Sequence, residues 1–370
     1  MFNIDRRILA QFDFISLILI LPLVIMSNWL VGELVPALAH KQIMYVVASA
    51  GVFIAIFLLP IRRMSWIIPI FYWLSITLLL SVKLIGYSRL GAKRWIEIPF
   101  IHLTLQPSEF MASALVFMLA YLIYKNPPPV GGYKLKEFVK LAFYIILPFL
   151  LIAAEPDLGT AIVLFLIGFS ILFFIGVNWK IWTVLIIISS LLLPLVYTKV
   201  LKDYQKQRLV SFIAKKPSYH VEQSIIAIGS GGWRGKTSIQ ATQAQLKFLP
   251  IATSDFIFAY VVERVGFLGA SFLIGIYILF VLHLFSVSLH YNDYFIKVVA
   301  ISIAFMLFIY MSINIAMTMG FAPVVGVPLP MFSYGGSSYM TFIVLFAVFE
   351  NLLAFRFRDS YHQRGFFKFF

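Results

Sequence analysis

Long apolar segments separated by short polar stretches dominate the chain. About 20 mostly apolar residues are needed to cross a membrane as a helix. Ten segments approach or reach that length, and they are 14–31, 43–60, 65–85, 108–124, 138–154, 158–176, 180–198, 256–283, 298–320 and 334–355. The pattern therefore predicts an all-α polytopic membrane protein with about ten transmembrane helices. It further predicts a single transmembrane domain over 1–370, with one large extracytoplasmic loop, 199–254, between helices 7 and 8.

Composition excludes several other classes of protein. The chain has 370 residues, of which 62% are hydrophobic and 12% are charged, whereas a soluble domain carries about 25% charged residues. A water-soluble enzyme and a disordered chain are therefore excluded. The chain has no cysteine, which excludes disulfides, zinc–thiolate sites and cysteine nucleophiles. The histidines show no metal-ligand spacing.

Positive charge predicts the orientation in the membrane. The net charge is +14, and in a membrane protein such a surplus marks cytoplasmic helix ends rather than a nucleic-acid partner. With both termini in the cytoplasm, fourteen Lys and Arg residues lie inside and five lie in the short outer segments. The loop 199–254 adds nine outside, but long loops translocate largely regardless of charge. We therefore predict that both termini are cytoplasmic, with the first apolar segment kept as a helix.

Acidic residues are few, and several fall on one predicted face. Glu109, Glu155, Asp157 and Asp255 all lie at the outer ends of predicted spans. Charge at membrane depth is costly and usually faces a cavity or a partner. Four carboxylates on one face therefore indicate a site there, although Glu109 and Asp157 also suit ordinary helix starts.

Asp255 is the strongest candidate for chemistry. In the sequence Thr253-Ser254-Asp255 it opens predicted helix 8 as a first-turn acid behind an N-cap. Ala259 and Glu263 follow at helical spacing and predict a small, polar stripe that faces the bundle interior. Two interpretations stay open. Asp255 either complements the helix dipole or acts as a general base at the mouth of a polar cleft.

Basic residues suggest contacts with an anionic group. Lys93 and Arg94 precede Trp95, which is typical either of an interfacial aromatic belt with snorkelling bases or of a clamp for an anionic head group. The stretch 204–208, which ends at Arg208, is either a second such contact or a solvated face.

The glycine-rich segment 229–237 resembles a nucleotide-binding loop only superficially. Five residues separate Gly229 from Gly235 where a P-loop has four. We predict instead tight turns beside a substrate, with Arg234 and Lys236 directed at phosphate. The proline-rich segment 323–330 cannot form a regular helix. It leads to Ser333 and is predicted to wall the outer cleft, because irregular backbone at membrane depth must line a cavity or be buried in protein.

Several of these segments together match one family. They occur in family order and are GAKRWI at 91–96, QPSE at 106–109, PDLGT at 156–160, YQKQR at 204–208, AIGSGGWRGK at 227–236, QLKFLP at 245–250, SDFIFA at 254–259 and PVVGVPLPMFSYGGSS at 323–338. The chain resembles the SEDS family (shape, elongation, division and sporulation), and within it the RodA branch more than the FtsW branch.

The resemblance implies a peptidoglycan glycosyltransferase that polymerises lipid II into glycan strands outside the membrane, for cell elongation and rod shape. The essential aspartate of the family falls on Asp255. Substrate binding is assigned to Lys93, Arg94, Trp95, Glu109, Asp157, Arg208, Arg234, Lys236, Gln245 and Ser333. The implied partners are a class B penicillin-binding protein (a transpeptidase), MreC, MreD and the MreB elongation machinery, besides membrane lipid.

The implied reaction is an inverting glycosyl transfer. Asp255 would take the proton from the attacking sugar hydroxyl. Basic residues, or a divalent cation such as Mg²⁺ or Mn²⁺ held by carboxylates, would offset the charge of the leaving pyrophosphate. Two alternatives remain, namely a flippase that moves lipid II across the membrane and a non-catalytic scaffold that activates a transpeptidase.

Overall fold

The computed structural model describes residues 11–89, 92–98, 103–155, 157–201, 203–214, 217–245, 248–249 and 252–356. Ten helices form the bundle, and they are α1 (Phe14–Leu34), α2 (Pro36–Leu58), α3 (Ile67–Ile85), α4 (Pro107–Lys125), α5 (Leu135–Ala154), α6 (Leu158–Ile175), α7 (Trp179–Leu195), α11 (Ile257–His290), α12 (Tyr294–Thr318) and α13 (Gly336–Ala354). Three shorter α-helices lie between α7 and α11, and they are α8 (Asp203–Ile213), α9 (Tyr219–Ser230) and α10 (Thr242–Gln245).

The prediction of an all-α membrane protein is confirmed. Among the described residues, nine helices are long and apolar enough to cross a membrane, and Ile67–Val82 adds a shorter apolar one. The ten predicted segments coincide with the ten bundle helices to within a few residues, apart from one helix start and α11. The second span begins at Pro36, seven residues before its predicted start, because proline suits the first turn of a helix.

The centre of the bundle consists of α4, α12 and α13. These helices carry buried residues on every side, which is typical of a helix enclosed by others. α12 packs against α4, α6, α11 and α13, while α13 also packs against α2. By contrast, α7 has no buried residue and lies at the periphery.

The long connections all emerge on one face of the bundle. We define the loop-rich face by residue 35 and the described residues of the segments 86–106, 155–157, 196–256 and 319–335. Antiparallel helices alternate direction, so the connections 59–66, 126–134, 176–178 and 291–293 lie on the opposite face. The predicted segments with candidate chemistry therefore share a face, as the sequence pattern indicated.

The connection between α3 and α4 contains a small sheet that the sequence analysis did not predict. It comprises β1 (Tyr87–Arg89), β2 (Ala92–Ile98) and β3 (Leu103–Leu105) in antiparallel order β1-β2-β3. Trp95 pairs with Tyr87, and Ile96 pairs with Leu105. Within β2 only Ile96-Glu97-Ile98 alternates between apolar and polar residues, so the strand has little signal in the sequence.

Helix α11 is broken at Gly266, where the backbone has φ +70° and ψ −171°. An unbroken helix would separate residues 254 and 277 by roughly 35 Å. However, the Ser254 carbonyl accepts a hydrogen bond from Ser333, while the Tyr277 hydroxyl donates to the Pro330 carbonyl. Ser333 and Pro330 are three positions apart and are separated by at most about 11 Å. The chain therefore bends sharply at Gly266 into a short arm, 257–265, and a long arm, 267–290.

The glycine-rich segment supplies the missing hydrogen bonds at this break. The Phe267 and Leu268 amides donate to the Gly232 and Trp233 carbonyls at 2.9 and 3.1 Å. In return, the Glu263 carbonyl accepts from the Lys236 amide at 3.0 Å. These are groups that a helix end leaves unpaired. The segment therefore caps both arms at once, which gives its glycines a packing role that the sequence reading did not identify.

Candidate active site

Asp255 lies just before the short arm, in a backbone that two other parts of the chain, the segment 319–335 and helix α12, hold in place. The Tyr334 amide donates to the Thr253 carbonyl at 2.8 Å, and the Ser333 hydroxyl donates to the Ser254 carbonyl at 2.6 Å. The Asn314 side-chain amide donates to the Asp255 carbonyl at 2.9 Å. The prediction that Asp255 sits in the first helical turn is wrong, since α11 begins at Ile257 with Phe256 as its N-cap. Its carboxylate is therefore free of a capping role.

The site is recessed below the loop-rich face. Asn314 lies four residues before the end of α12. Ser27, seven residues before the end of α1, donates its hydroxyl to the Phe332 carbonyl at 2.5 Å. Because α1 and α12 both end on the loop-rich face, these contacts place the segment around Asp255 about one to two helical turns inward.

One wall of the recess is the irregular segment 319–335, as predicted. Ser333 is 5% exposed, and its hydroxyl also accepts a hydrogen bond from the Leu329 amide at 2.8 Å. Gly326 has φ +76°, and a Cβ built there would lie 3.4 Å from Oδ2 of Asp255. Bare backbone therefore faces the carboxylate, and Ser333 holds the wall to the Asp255 segment.

Asp157 lies at the start of α6 as its N-cap. Oδ1 accepts from the Thr160 amide at 3.4 Å, and Oδ2 accepts from the Gln106 side-chain amide at 3.3 Å. Arg94 on β2 forms an ion pair with Oδ1 at 3.3 Å, with 4% of the Asp157 side chain exposed. Asp157 is thus both a helix cap and half of a charged pair.

Three carboxylates from different parts of the chain form one cluster. Glu109, in the first turn of α4, lies within electrostatic range of Asp157 and Asp255. Its Oε2 is sealed from solvent and accepts no hydrogen bond from any described residue. We call Glu109, Asp157 and Asp255 the acidic cluster. Tyr310 of α12 also lies within electrostatic range of Glu109 and Asp157.

The environment makes Asp255 a stronger base than an exposed aspartate. Burial raises the pKa of the Asp255 carboxyl above its usual value, a hydrogen bond from Ser254 opposes that shift, and the charge of Asp157 adds to it. A raised carboxyl pKa brings the group closer to the operating pH, where a general base is most effective. The site can therefore accept a proton from a bound hydroxyl group.

The other predicted site residues are spread around this cluster. Arg208 donates to the Val324 carbonyl at 3.0 Å and so contacts the wall from α8. Trp95 follows Arg94 on β2 and is half-buried. Arg234 is exposed and Lys236 is half-buried, both in the segment that caps the break at Gly266. The side chains of Lys93 and Gln245 lie outside what the structure describes.

Sequence reasoning missed two residues that shape the site. Asn314 and Tyr310 both lie in α12, which was treated only as an apolar span. The available signal was an amide side chain inside an otherwise apolar segment, because such a group needs buried partners.

The described residues contain no group of three or more His, Asp or Glu side chains that could hold a metal ion. Mg²⁺, however, is often bound through one or two carboxylates together with phosphate oxygens and water. Asp157 already pairs with Arg94. A cation could therefore bind here only if phosphate oxygens and water supplied most of its ligands.

Comparison with known proteins yields consistent matches along the chain. The FtsW/RodA/SpoVE family model, described as cell cycle protein, matches residues 3–357. The peptidoglycan glycosyltransferase MrdB of Helicobacter pylori (strain 26695) is 49% identical over 362 residues, which cover 98% of this chain and 95% of that protein.

Solved structures share the fold. A chain from a peptidoglycan synthase complex, whose study concerns the structural coordination of polymerization and crosslinking, superposes with a TM-score of 0.82. It is 24% identical, and the match covers 94% of this chain and 99% of that one. The rod shape determining protein RodA of Thermus thermophilus gives a TM-score of 0.71 at 22% identity, covering 94% and 98%. At these identities the likeness establishes the fold alone.

Proposed function

Because the chain belongs to the FtsW/RodA/SpoVE family, we propose that it is a peptidoglycan glycosyltransferase that polymerises lipid II into glycan strands during cell elongation. The observation that carries the proposal is Asp255, a carboxylate free of a capping role whose backbone is held in a recess, within electrostatic range of the Asp157 that pairs with Arg94. A transferase with a good leaving group needs one such base rather than the two carboxylates of a glycosidase.

In the proposed reaction the 4-hydroxyl of one substrate's GlcNAc attacks the anomeric carbon of MurNAc in the other. The new C–O bond forms as the bond to the undecaprenyl-linked pyrophosphate breaks, with inversion. Asp255 takes the hydroxyl proton, and the electron pair of the broken bond leaves with the pyrophosphate. Basic side chains at the recess, among them Arg94 and Arg208, stabilise that charge.

We propose that the recess opens on the outer side of the bacterial inner membrane, in which the chain is a multi-pass protein. This orientation follows from the fourteen Lys and Arg residues that it leaves in the cytoplasm. Both termini are then cytoplasmic. Lipid-linked sugars at the outer leaflet would reach Asp255 from the loop-rich face.

We propose that the protein works with a class B penicillin-binding protein, MreC, MreD and the MreB machinery. The support is that a structurally similar chain belongs to a peptidoglycan synthase complex that couples polymerization and crosslinking. The glycan polymer made by this protein would be the substrate that such a transpeptidase crosslinks.

The test of the function is a reconstitution with purified protein, its cognate transpeptidase and fluorescent lipid II. A polymerase converts the lipid to glycan strands of increasing length, which gel electrophoresis resolves. A flippase would instead move labelled lipid between the leaflets of a vesicle without polymer. A scaffold would leave lipid II intact and stimulate only the transpeptidase on preformed glycan.

A divalent cation stays part of the proposal. We expect Mg²⁺ or Mn²⁺ to bind with the pyrophosphate against the acidic cluster and to lower the cost of its departing charge. Chelation with EDTA should then lower the polymerisation rate at least about tenfold, and added Mg²⁺ or Mn²⁺ should restore it. An undiminished rate in EDTA would contradict the proposed role of a divalent cation. The basic side chains alone would then stabilise the charge of the pyrophosphate.

The charges around Asp255 predict opposite pH shifts for two substitutions. The reaction needs ionised Asp255, so kcat/KM rises with pH through its pKa. Asp157→Asn removes a like charge, lowers the Asp255 pKa and should move the acid limb of the pH profile down by up to about 1 pH unit. Arg94→Gln leaves the Asp157 charge unbalanced and should move the limb up. Identical acid limbs of the pH profile in the two variants would contradict the proposed influence of the Asp157 and Arg94 charges on Asp255.

A further inference from the structure

Two asparagine side chains perform the same task at opposite faces of the bundle. Asn314 of α12 donates from Nδ2 to the Asp255 carbonyl at 2.9 Å and to the Val327 carbonyl at 2.7 Å. Asn351 of α13 donates from Nδ2 to the Phe57 and Leu59 carbonyls at 2.7 and 2.6 Å. They are 0% and 2% exposed, respectively.

The Asn314 amide has a fixed orientation. Both of its close partners are carbonyl oxygens, so the nitrogen must face them. Its Oδ1 is sealed from solvent and accepts no hydrogen bond from a described residue. A buried acceptor without a donor costs free energy. Asn314 bears this cost at Oδ1 while its Nδ2 donates hydrogen bonds to two backbone carbonyls.

Both carbonyls that Asn314 binds belong to irregular backbone on the two sides of the catalytic carboxylate. Asp255 precedes α11, while Val327 follows Gly326, whose missing Cβ would lie 3.4 Å from Oδ2 of Asp255. Backbone carbonyls outside helices have no helical donor and need another partner when buried. Asn314 therefore fixes the Asp255 backbone relative to the wall that faces its side chain.

We infer that Asn314 is a positioning residue for Asp255. The inference rests on the proposed function and extends it to a residue that contacts neither substrate nor the reacting atoms. The amide keeps the carboxylate against the wall and close to Asp157. The hydroxyl of the attacking sugar then meets a base at a fixed place, and small displacements of a base cost large factors in rate.

Asn314→Ala should separate positioning from binding. Without the amide, the Asp255 segment can shift towards water and away from Asp157, both of which lower the pKa of Asp255. We expect kcat to fall about 10- to 100-fold, KM for lipid II to change less than about threefold, and the acid limb of the pH profile to move to lower pH.

Asn351→Ala is the matched control. It removes an equally buried amide with two equivalent carbonyl partners, and it lies on the opposite face. Both variants should lose similar thermal stability in detergent, while Asn351→Ala should keep the kcat and pH profile of the unaltered protein. If Asn314→Ala yields no folded protein, Asn314→Ser carries the same test, because its hydroxyl retains one donor.

The outcomes are distinct. A kcat loss with a shifted acid limb confined to the position-314 variant supports the inference. If the unaltered protein is active and the position-314 and position-351 variants have equal kcat and pH profiles, the inference is overturned but the proposed function is not. An unaltered protein that forms no polymer with its transpeptidase overturns the proposed function, and the inference with it.

Discussion

Asp255→Asn is expected to lower the rate of lipid II polymerisation by at least about 100-fold, the usual contribution of a general base. The substitution keeps the size of the side chain and removes its negative charge and its ability to take a proton. Because the Asp255 backbone is held by Asn314 and not by its own carboxylate, the local structure should persist. Gel analysis of labelled glycan measures the rate.

Asp203→Asn provides the control for this experiment. Asp203 begins α8 in the same connection, 196–256, and its side chain is exposed. It removes an equal charge from the loop-rich face and should leave the rate within about twofold. Polymer made at the unaltered rate by the position-255 variant would eliminate the proposed base, and with it the mechanism.

Gly266→Ala is expected to cause a large loss of stability. The backbone there, at φ +70° and ψ −171°, is one that residues with a side chain rarely adopt. A Cβ would also overlap the backbone nitrogen of Gly235. Strain and overlap together should cost about 3–5 kcal/mol. The measurement is the thermal midpoint of the detergent-solubilised protein and the yield of its monodisperse fraction.

Gly275→Ala tests whether the effect belongs to the break itself. Gly275 lies in the long arm of the same helix, and a Cβ there meets no atom within 4 Å. Alanine also favours a helix by up to about 1 kcal/mol over glycine, so this variant should match or exceed the unaltered stability. Equal losses in the two variants would show that the bend at Gly266 needs no glycine.

The spans, and the face on which the connections with candidate residues lie, could be predicted because both depend on local composition. Apolar length alone marks a helix that crosses the membrane, and alternation of direction then places the connections. Asp157 and Asp255 could also be chosen as candidates on local grounds, since charge is rare near spans. Their partners could not be predicted in this way. The pairing of Arg94 with Asp157 joins residues 63 positions apart, a contact that no periodicity encodes.

The break in α11 shows why the remaining details escaped prediction. Nothing in the local sequence distinguishes Gly266 from other glycines, because glycine is common within membrane helices. Its conformation is set by the glycine-rich segment more than thirty residues earlier, whose backbone it touches. Asn314 was overlooked for a similar reason, since its role appears only when Asp255 and Val327 lie beside it.

The short arm sets the depth at which a growing glycan would be extended. Its outer end is anchored where Arg264 binds Glu33 near the end of α1, with Nε and Oε1 2.5 Å apart. The eight helical residues 257–264, roughly 12 Å of helix, separate that anchor from Asp255. Each sugar would be added at Asp255, at the inner end of the recess. The lengthening product would therefore have to pass the Arg264–Glu33 ion pair to leave the protein. The length of the short arm would thus set how many sugar units the strand must contain before it extends beyond the Arg264–Glu33 ion pair.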